Sequence, residues 1–224
     1  AIREALHHEF QVRTVASANE ALSHAALVML AVKPQVMRTV CENLANELPQ
    51  DAVVISIAAG LTVDQLDRWL GGNRAVVRAM PNTPALLGVG ATGVFANARV
   101  TSEQRTLADT VLSSVGVSVW IEQEAQMDVV TALSGCGPAY FFLLTEAMQA
   151  AAEKLGLPEN AARILATQTC LGAGRMLTES GEDASTLRQR VTSPGGTTQA
   201  ALESFSSDAF IDIVNRALKA AATR

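Results

Sequence analysis

The stretch "ALVMLAVKPQVMRTV", residues 26–40, places a continuous apolar run one residue before a proline and a helix-like segment. A short run that is apolar at every position is typical of a parallel strand covered on both faces. Proline is favourable at the first position of a helix, so Pro34 indicates where the helix begins. Lys33 precedes that proline, which keeps its backbone extended and outside the helix. The stretch therefore predicts a buried strand that leads into a helix.

The same alternation of strand and helix continues through the first half of the chain. Predicted strands are "QVRTV" (11–15), "ALVMLAV" (26–32), "AVVISIAA" (52–59), "AVVRAM" (75–80) and "VSVWI" (117–121), with helix-like segments at 34–48 and 62–70. Apolar strands with intervening amphipathic helices predict an α/β domain, a Rossmann-like, doubly wound parallel sheet. The chain begins without Met in a helix-like segment, so we expect this domain, residues 1–123, to be truncated at its start.

The second half reads as helices alone. Helical patterns cover residues 138–157, 158–177, 186–191 and 208–224, and strand signals are absent from about residue 124 onward. The first two of these helices are apolar around most of their circumference, so they need cover on several sides. We therefore predict an all-α domain, residues 124–224, that forms a dimer.

Composition narrows the classes of function. The 224 residues are 49% hydrophobic and 17% charged with a net charge of −5, which fits a packed globular protein and argues against nucleic acid as a partner. The three cysteines and three histidines show no metal-ligand spacing, so we predict no metal site. The longest apolar runs are too short for a bilayer and no signal peptide is visible. We expect a cytoplasmic protein with no membrane partner.

One glycine motif is misleading. "GVGATG", Gly88 to Gly93, matches the dinucleotide-binding pattern G-x-G-x-x-G. The functional form of that pattern follows a strand and opens a helix, whereas this one follows Pro84 closely and leads into the strand-like "VFANA". We interpret it as a glycine-rich turn before a strand.

Three other segments lie where predicted strands end, and together they indicate a nucleotide cleft. They are "LAVKPQ" (30–35), "ISIAAGLT" (55–62) and "AMPNTP" (79–84). Ligands of open α/β sheets bind beyond the carboxyl ends of the strands. Helix–strand packing is the alternative explanation for any one segment, and Lys33 alone would be a solvated residue at a helix start.

Two motifs in the second half carry hydroxyl groups. In "TALSGCGPAYFF" (131–142), Gly135 and Gly137 would allow close backbone approach and Pro138 would start a helix. The alternative is a tight helix corner with Ser134 as a cap. In "VTSPGGTTQAALESF" (191–205), the helix start offers free N–H groups to a carboxylate or phosphate, although every helix has such an end.

Taken together, "AVKPQ", "MPNTP", "SGCGPAYFF" and "VTSPGGTT", in this order, resemble the pyrroline-5-carboxylate reductase family from about residue 19 to the last helix. The resemblance implies a Rossmann domain that binds NADPH or NADH, and a helical dimerisation domain with active sites at the dimer interface. The implied reaction reduces 1-pyrroline-5-carboxylate to L-proline, the last step of proline biosynthesis. Homodimers, and larger rings of dimers, are known in such families.

The resemblance also implies roles for single residues. Cofactor-binding residues would be Asn19, Ala31, Val32, Lys33, Pro34, Ile57, Ala58, Ala59 and Asn82. Substrate-binding residues would be Ser134, Ser193, Gly196, Thr197 and Thr198, and the candidate catalytic residues are Thr131 and Lys33. The chain departs from the family at its start, because the family's first strand and true G-x-G-x-x-G are absent. The residue that would select NADPH or NADH is expected to be missing with them.

Two alternatives remain open. The first is a reductase of the β-hydroxyacid dehydrogenase kind. Such an enzyme needs a lysine on the helical domain that acts as the acid, and only Lys154 and Lys219 are available there. The second is a non-catalytic dimerisation protein derived from a reductase. The lack of histidine at every motif favours a C=N substrate, because an imine is more basic than a carbonyl and needs no strong protein acid.

Overall fold

A computed structural model describes residues 2–224, apart from the side chain of Asn19. The chain forms two compact units, Ala1–Gly135 and Cys136–Arg224, which are described in turn. The predicted domain boundary after residue 123 stays a prediction. In the structure, residues 124–135 pack within the first unit.

The first unit alternates strands and helices. Its elements are α1 (Ile2–Phe10), α2 (Asn19–Leu22), β1 (Leu27–Leu30), α3 (Pro34–Leu44), β2 (Val53–Ser56), α4 (Val63–Trp69), β3 (Ala75–Met80), β4 (Gly90–Ala96), α5 (Ser102–Ser113), β5 (Gly116–Trp120) and α6 (Met127–Val130). Short 3₁₀ turns lie at Thr83–Leu87 and Glu124–Gln126, and a π-helical turn spans Thr131–Gly135. Apolar runs bounded by turn residues account for the strands, as predicted.

The five strands form one sheet in the order β1-β2-β3-β4-β5, and the predicted α/β fold is confirmed. β1, β2 and β3 are parallel, whereas β4 runs antiparallel to β3, with Met80 opposite Gly93. This antiparallel pair departs from the predicted parallel sheet, because the connection 81–89 is too short for a parallel crossover. β5 is again parallel to β4.

Two sequence predictions about strands had opposite outcomes. In "GVGATG", Gly88 ends the 3₁₀ turn with φ +73°, and Gly90 is already the first residue of β4, so the motif is a turn and the start of a strand and opens no helix. The predicted strand 11–15 was wrong, because those residues form no strand in the structure. β-Branched residues favour an extended backbone, but a strand also needs a neighbour to pair with.

Helices cover both faces of the sheet. On one face, Met37 and Cys41 of α3 and Leu66 of α4 pack on Val54 and Val76, all of them buried. The other face, with Val53, Ile55, Val77 and Val94, packs on α5 through Ala108 and Leu112. The central strands are therefore buried on both sides, which explains their uninterrupted apolar runs.

The edge of the sheet where β2 and β3 begin is here named the far edge, and Arg74 holds it together. This arginine is 7% exposed. Its guanidinium donates to four main-chain carbonyls, those of Ala45 (2.9 Å), Leu48 (3.1 Å), Pro49 (3.1 Å) and Leu70 (3.4 Å). The amide of Asn97 donates to the Arg74 carbonyl at 2.9 Å. The bond to Ala45, the C-cap of α3, satisfies a carbonyl that the helix itself leaves unpaired.

The second unit is helical, as predicted. It contains α7 (Gly137–Lys154), α8 (Glu159–Glu179), α9 (Ala184–Arg190), α10 (Thr197–Ser207) and α11 (Phe210–Ala222). Within residues 136–224, only Gly137 and Ala162 are fully buried, whereas Phe142 is 67% and Ile211 72% exposed. Apolar surface of this extent in a single chain marks a protein–protein interface.

The stretch Glu124–Lys154 is, by length and composition, apolar enough to cross a membrane. One such stretch is weak evidence, because a helix that another protein surface covers passes the same test. The expectation of no membrane partner stays a prediction.

Candidate functional site

The three predicted loops lie at the same edge of the sheet, opposite the far edge. Because β1, β2 and β3 are parallel, their carboxyl ends meet there, and we name it the loop edge. The first loop is 31–33, the second is 57–62 and the third begins at Pro81. The structure thus brings together the segments that the sequence assigned to a nucleotide cleft.

In the first loop, Lys33 is extended with φ −61° and ψ 145°, and Pro34 is the first residue of α3, both as predicted. Ala31, Val32, Lys33 and Pro34 are all exposed. Among the described residues, no hydrogen bond or ion pair engages the Lys33 ammonium group. The loop edge therefore carries an accessible cation at a helix start, which suits an anionic ligand. Of Asn19, only the backbone is described, as the first residue of α2.

The second loop offers open backbone donors. Ser56 is fully buried, and its hydroxyl oxygen accepts the Ala58 N–H at 3.3 Å. The N–H groups of Ala59 and Gly60, in contrast, have no acceptor within the described part of the chain. Gly60 has φ +75° and nothing within 4 Å of a Cβ at its position, so a ligand can approach the backbone closely. Small residues, free N–H groups and a nearby cation fit part of a dinucleotide.

In the third loop, the Asn82 side chain links two other segments. Its Nδ2 donates to the Ser134 carbonyl at 3.0 Å, and its Oδ1 accepts the Ala91 N–H at 2.9 Å. The amide therefore ties the start of β4 to the π-helical turn. Contact between Asn82 and a cofactor stays a prediction, and the structure adds that Asn82 holds the turn in place.

The π-helical turn carries two hydroxyl groups, and each of them donates a hydrogen bond to a backbone carbonyl. Thr131 Oγ1 donates to the Met127 carbonyl at 2.8 Å, and Ser134 Oγ donates to the Val130 carbonyl at 3.0 Å. Because both hydroxyl protons are engaged by the backbone, each oxygen is left with lone pairs that can accept a hydrogen bond. π-Helical turns are rare and occur frequently at functional sites.

The glycines of "SGCGPAY" differ in their surroundings. A Cβ at Gly135 would lie 2.9 Å from Met80 Cε, so the predicted close approach is confirmed there. At Gly137 a Cβ would meet nothing within 4 Å in this chain, so close approach there stays a prediction. Pro138 lies in the first turn of α7, as predicted. Desolvation by burial, and then the neighbouring Cys136 thiol, raise the pKa of Tyr140, so its phenol stays protonated at neutral pH.

In the helical unit, the Ser-Pro-Gly-Gly-Thr-Thr turn leads into α10, which begins at Thr197 as predicted and has Gly196 as its N-cap. Two amides of the turn are occupied: Gly195 N donates to Gln199 Oε1 at 2.7 Å and Gly196 N to the Ser193 carbonyl at 3.0 Å. The next two amides, those of Thr197 and Thr198, have no acceptor among the described residues. They are free donors at the positive end of an 11-residue helix.

The sequence interpretation missed Gln199, which fixes this turn. Its signal was available, because a glutamine at the third position of a helix is the partner in a capping box. Here the side chain reaches back to Gly195 and also donates to Glu203 Oε1 at 2.7 Å. Gln199 thereby keeps the turn closed while it leaves the Thr197 and Thr198 amides open.

Family models match both parts of the chain. Residues 124–224 match the model described as pyrroline-5-carboxylate reductase dimerisation, and residues 2–60 match the model described as NADP oxidoreductase, coenzyme F420-dependent.

Known proteins resemble the chain over almost its whole length. A pyrroline-5-carboxylate reductase of Pseudomonas aeruginosa is 50% identical over 216 residues, which are 96% of this chain and 79% of the relative. The solved structure of a pyrroline-5-carboxylate reductase from Coxiella burnetii is 42% identical with a TM-score of 0.95, over 99% of this chain and 82% of that one. A Plasmodium falciparum pyrroline carboxylate reductase with NADP bound is 33% identical with a TM-score of 0.82, over 93% and 79%.

Proposed function

The chain belongs to the pyrroline-5-carboxylate reductase family, and we propose that the start of α10 binds the carboxylate of its substrate while Thr131 orients the ring nitrogen. The chain is an NAD(P)H-dependent oxidoreductase that reduces the C=N bond of 1-pyrroline-5-carboxylate and yields L-proline, the last step of proline biosynthesis. Neither a C=O reductase with Lys154 or Lys219 as acid nor a non-catalytic dimerisation protein accounts for this family membership.

The open amides of Thr197 and Thr198 are the observation that carries the proposed carboxylate site. A helix start attracts anions through its free N–H groups and its dipole, and here the preceding turn is already closed by Ser193 and Gln199. The two amides are therefore free for a ligand in a turn whose shape is fixed. The hydroxyls of Thr197, Thr198 and Ser193 add polar groups at the same helix start.

At the loop edge, we propose that the cofactor is held by Ala31–Pro34, Ile57–Ala59 and Asn82, with Lys33 offering a positive charge. When bound, the reduced nicotinamide supplies the hydride that is added to the C=N carbon. Lys33 and the free amides of Ala59 and Gly60 would bind and orient the cofactor and not take part in proton transfer. We also propose a cytoplasmic location, which fits a reaction that uses NAD(P)H as a freely diffusing cofactor.

Thr131 is proposed to act as a hydrogen-bond acceptor. Its hydroxyl proton is donated to the Met127 carbonyl, so its oxygen can accept the N–H of a protonated pyrroline ring. The ring nitrogen is basic enough to arrive protonated, so hydride addition at carbon leaves a neutral amine and requires no further protein acid. The contribution of Thr131 is therefore orientation and electrostatic stabilisation.

Proline substitution offers a direct test of the carboxylate site. Thr197→Pro removes one free N–H at the first helical position, where proline is tolerated, and Gly196 already has the extended backbone that precedes proline. We expect KM for pyrroline-5-carboxylate to rise about 10-fold or more, the effect of one lost bond to a charged group. The control Thr197→Ala keeps the N–H and should change KM much less. Equal KM values for Thr197→Pro and wild type would place the anion elsewhere.

Three hydroxyl substitutions complete the test. Thr131→Ala should lower kcat, whereas Thr131→Ser keeps the acceptor oxygen and should retain most of the activity. Unchanged kcat in Thr131→Ala would remove this residue from the mechanism. Thr198→Ala should raise KM for the substrate and leave KM for NADPH unchanged. Oxidation of NADPH, followed by its absorbance, measures all of these values.

The helical unit is a dimerisation domain, so the protein forms a homodimer or a larger oligomer. As a finer arrangement we propose a ring of dimers, which the extensive exposed apolar surface of α7, α8 and α11 supports. Light scattering on the purified protein gives the mass: a dimer with no tendency to associate further would exclude the ring.

A further inference from the structure

A buried ion pair lies next to the second loop and has no part in the chemistry above. Arg78 lies on the central strand β3, and its Nη1 donates to Glu124 Oε1 at 3.3 Å. The two side chains are 7% and 21% exposed. A buried ion pair often contributes no more stability than apolar residues of similar volume. The pair therefore calls for an explanation other than stability.

Glu124 makes a second bond that reaches the cofactor loop. The same Oε1 accepts the Val63 N–H, the first amide of α4, at 2.8 Å. Val63 directly follows the second loop, 57–62, whose other end is held by the bond from Ala58 N to Ser56 Oγ. Thr62 and Gln65 add a capping box at the same helix start. The loop is thus fixed at both ends, and one of its anchors is the carboxylate that Arg78 holds.

Glu124 is also connected to the hydroxyl group proposed to orient the substrate. It begins the 3₁₀ turn Glu124–Gln126, which continues directly into α6. The first residue of α6, Met127, accepts the hydroxyl proton of Thr131 at 2.8 Å. A single carboxylate therefore joins the second loop to the segment that carries Thr131.

We infer that Arg78 and Glu124 are a positioning pair for the reduction: they hold the second loop and the Thr131 segment in a fixed mutual geometry. Neither residue contacts the substrate in this role, and Arg78 acts through Glu124. The inference rests on the proposed function, since it assigns the second loop to the cofactor and Thr131 to the substrate.

Glu124→Gln provides the first test, because it retains an oxygen for the Val63 amide and removes only the charge that pairs with Arg78. We expect faster hydrogen exchange of the backbone amides at 57–65 in the protein without cofactor. With wild type as reference, kcat/KM should fall roughly 10- to 100-fold, as for a small misplacement of reacting groups. The Kd of NADPH, measured by its fluorescence, should rise several-fold. The double variant Arg78→Met/Glu124→Gln should lose no more activity than either single variant, because both substitutions break the same pair.

Arg74→Met is the matched control. Arg74 is an equally buried arginine just before β3, but its bonds go to carbonyls at the far edge. Its replacement should lower the thermal midpoint and leave amide exchange at 57–65 and kcat/KM unchanged at temperatures where the variant is folded. Equal kinetic losses in Arg74→Met and Glu124→Gln would show a general loss of stability and overturn the inference.

The remaining outcomes are also decisive. Unchanged exchange at 57–65 in Glu124→Gln would overturn the inference, and so would faster exchange with normal kcat/KM. Failure of the proposed function would be seen earlier and separately, as a wild-type protein that does not reduce pyrroline-5-carboxylate.

Discussion

Gly93→Ala should disturb the packing of the catalytic segment on the sheet. A Cβ at Gly93 on β4 would lie 2.3 Å from Cγ1 and 3.0 Å from Cγ2 of Val130. Valine is stiff, so it cannot swing away as a long side chain would. Either α6 or β4 must therefore move. Val130 is the residue before Thr131, so a shift of α6 also displaces the Thr131 hydroxyl.

The size of the effect follows from the overlap. Overpacking a rigid contact costs about 1–3 kcal/mol of unfolding free energy. We expect Gly93→Ala to unfold at lower urea concentration by this amount, and its kcat to fall as Thr131 moves. Val130→Ala in the same chain removes both methyl groups and leaves the Val130 Cβ position 3.2 Å away. The double variant should therefore recover most of the lost stability and kcat, a coupling that a double-mutant cycle measures.

Gly116→Ala serves as the control that cannot be rescued in this way. Its Cβ would lie 2.0 Å from the Gly90 carbonyl oxygen, a backbone atom of the paired strand. No side-chain deletion relieves that overlap, so stability should be lost in the presence of Val130→Ala as well. Wild-type stability for Gly93→Ala, or no recovery in its double variant with Val130→Ala, would refute the reasoning.

Three further predictions concern other parts of the molecule. Burial raises the pKa of the Cys41 thiol to about 11, so in the native protein a thiol reagent at pH 8 should modify Cys136 and leave Cys41 intact until the protein unfolds. The hydrogen bond from the Ser118 hydroxyl lowers the pKa of Asp109, so its carboxylate stabilises the fold above about pH 4, the unfolded value, and this contribution is lost as the pH falls through the native pKa. Asp109→Asn should therefore lower the thermal midpoint at pH 7, with a difference from wild type that shrinks in acid; a difference independent of pH would contradict the assignment. Phe142→Ser should raise the dimer dissociation constant by about 10-fold or more in sedimentation experiments, because the exposed ring lies on the dimerisation helices; unaltered dimerisation would place the interface elsewhere.

The sequence predicted the strands that are buried on both faces, because their apolar runs are unbroken and bounded by turn residues. It did not predict the direction of β4. Direction depends on which strand edge is free and on the length of the connection, and neither is recorded in the run itself. The segment 11–15 shows the opposite error, since its β-branched residues suit a strand that no described neighbour pairs with.

The candidate site was likewise predicted only in part from the sequence. Turn chemistry located the loops at the loop edge and the start of α10, because Pro34, Gly196 and their neighbours act locally. The Arg78–Glu124 pair could not be found, since it joins residues 46 positions apart in the chain. The two bonds of Asn82 were also out of reach, because they depend on how β4 and the π-helical turn pack.

The bonds at the far edge have a practical consequence for studies of motion. Arg74 and Asn97 connect the end of α3, the start of β3 and the end of β4, so that rim is cross-linked independently of any bound molecule. Conformational changes that accompany turnover should then be concentrated at the opposite rim. An isotopic or fluorine probe near Asn97 would provide an internal reference, against which the chemical-shift response of the loop edge to ligand binding could be calibrated.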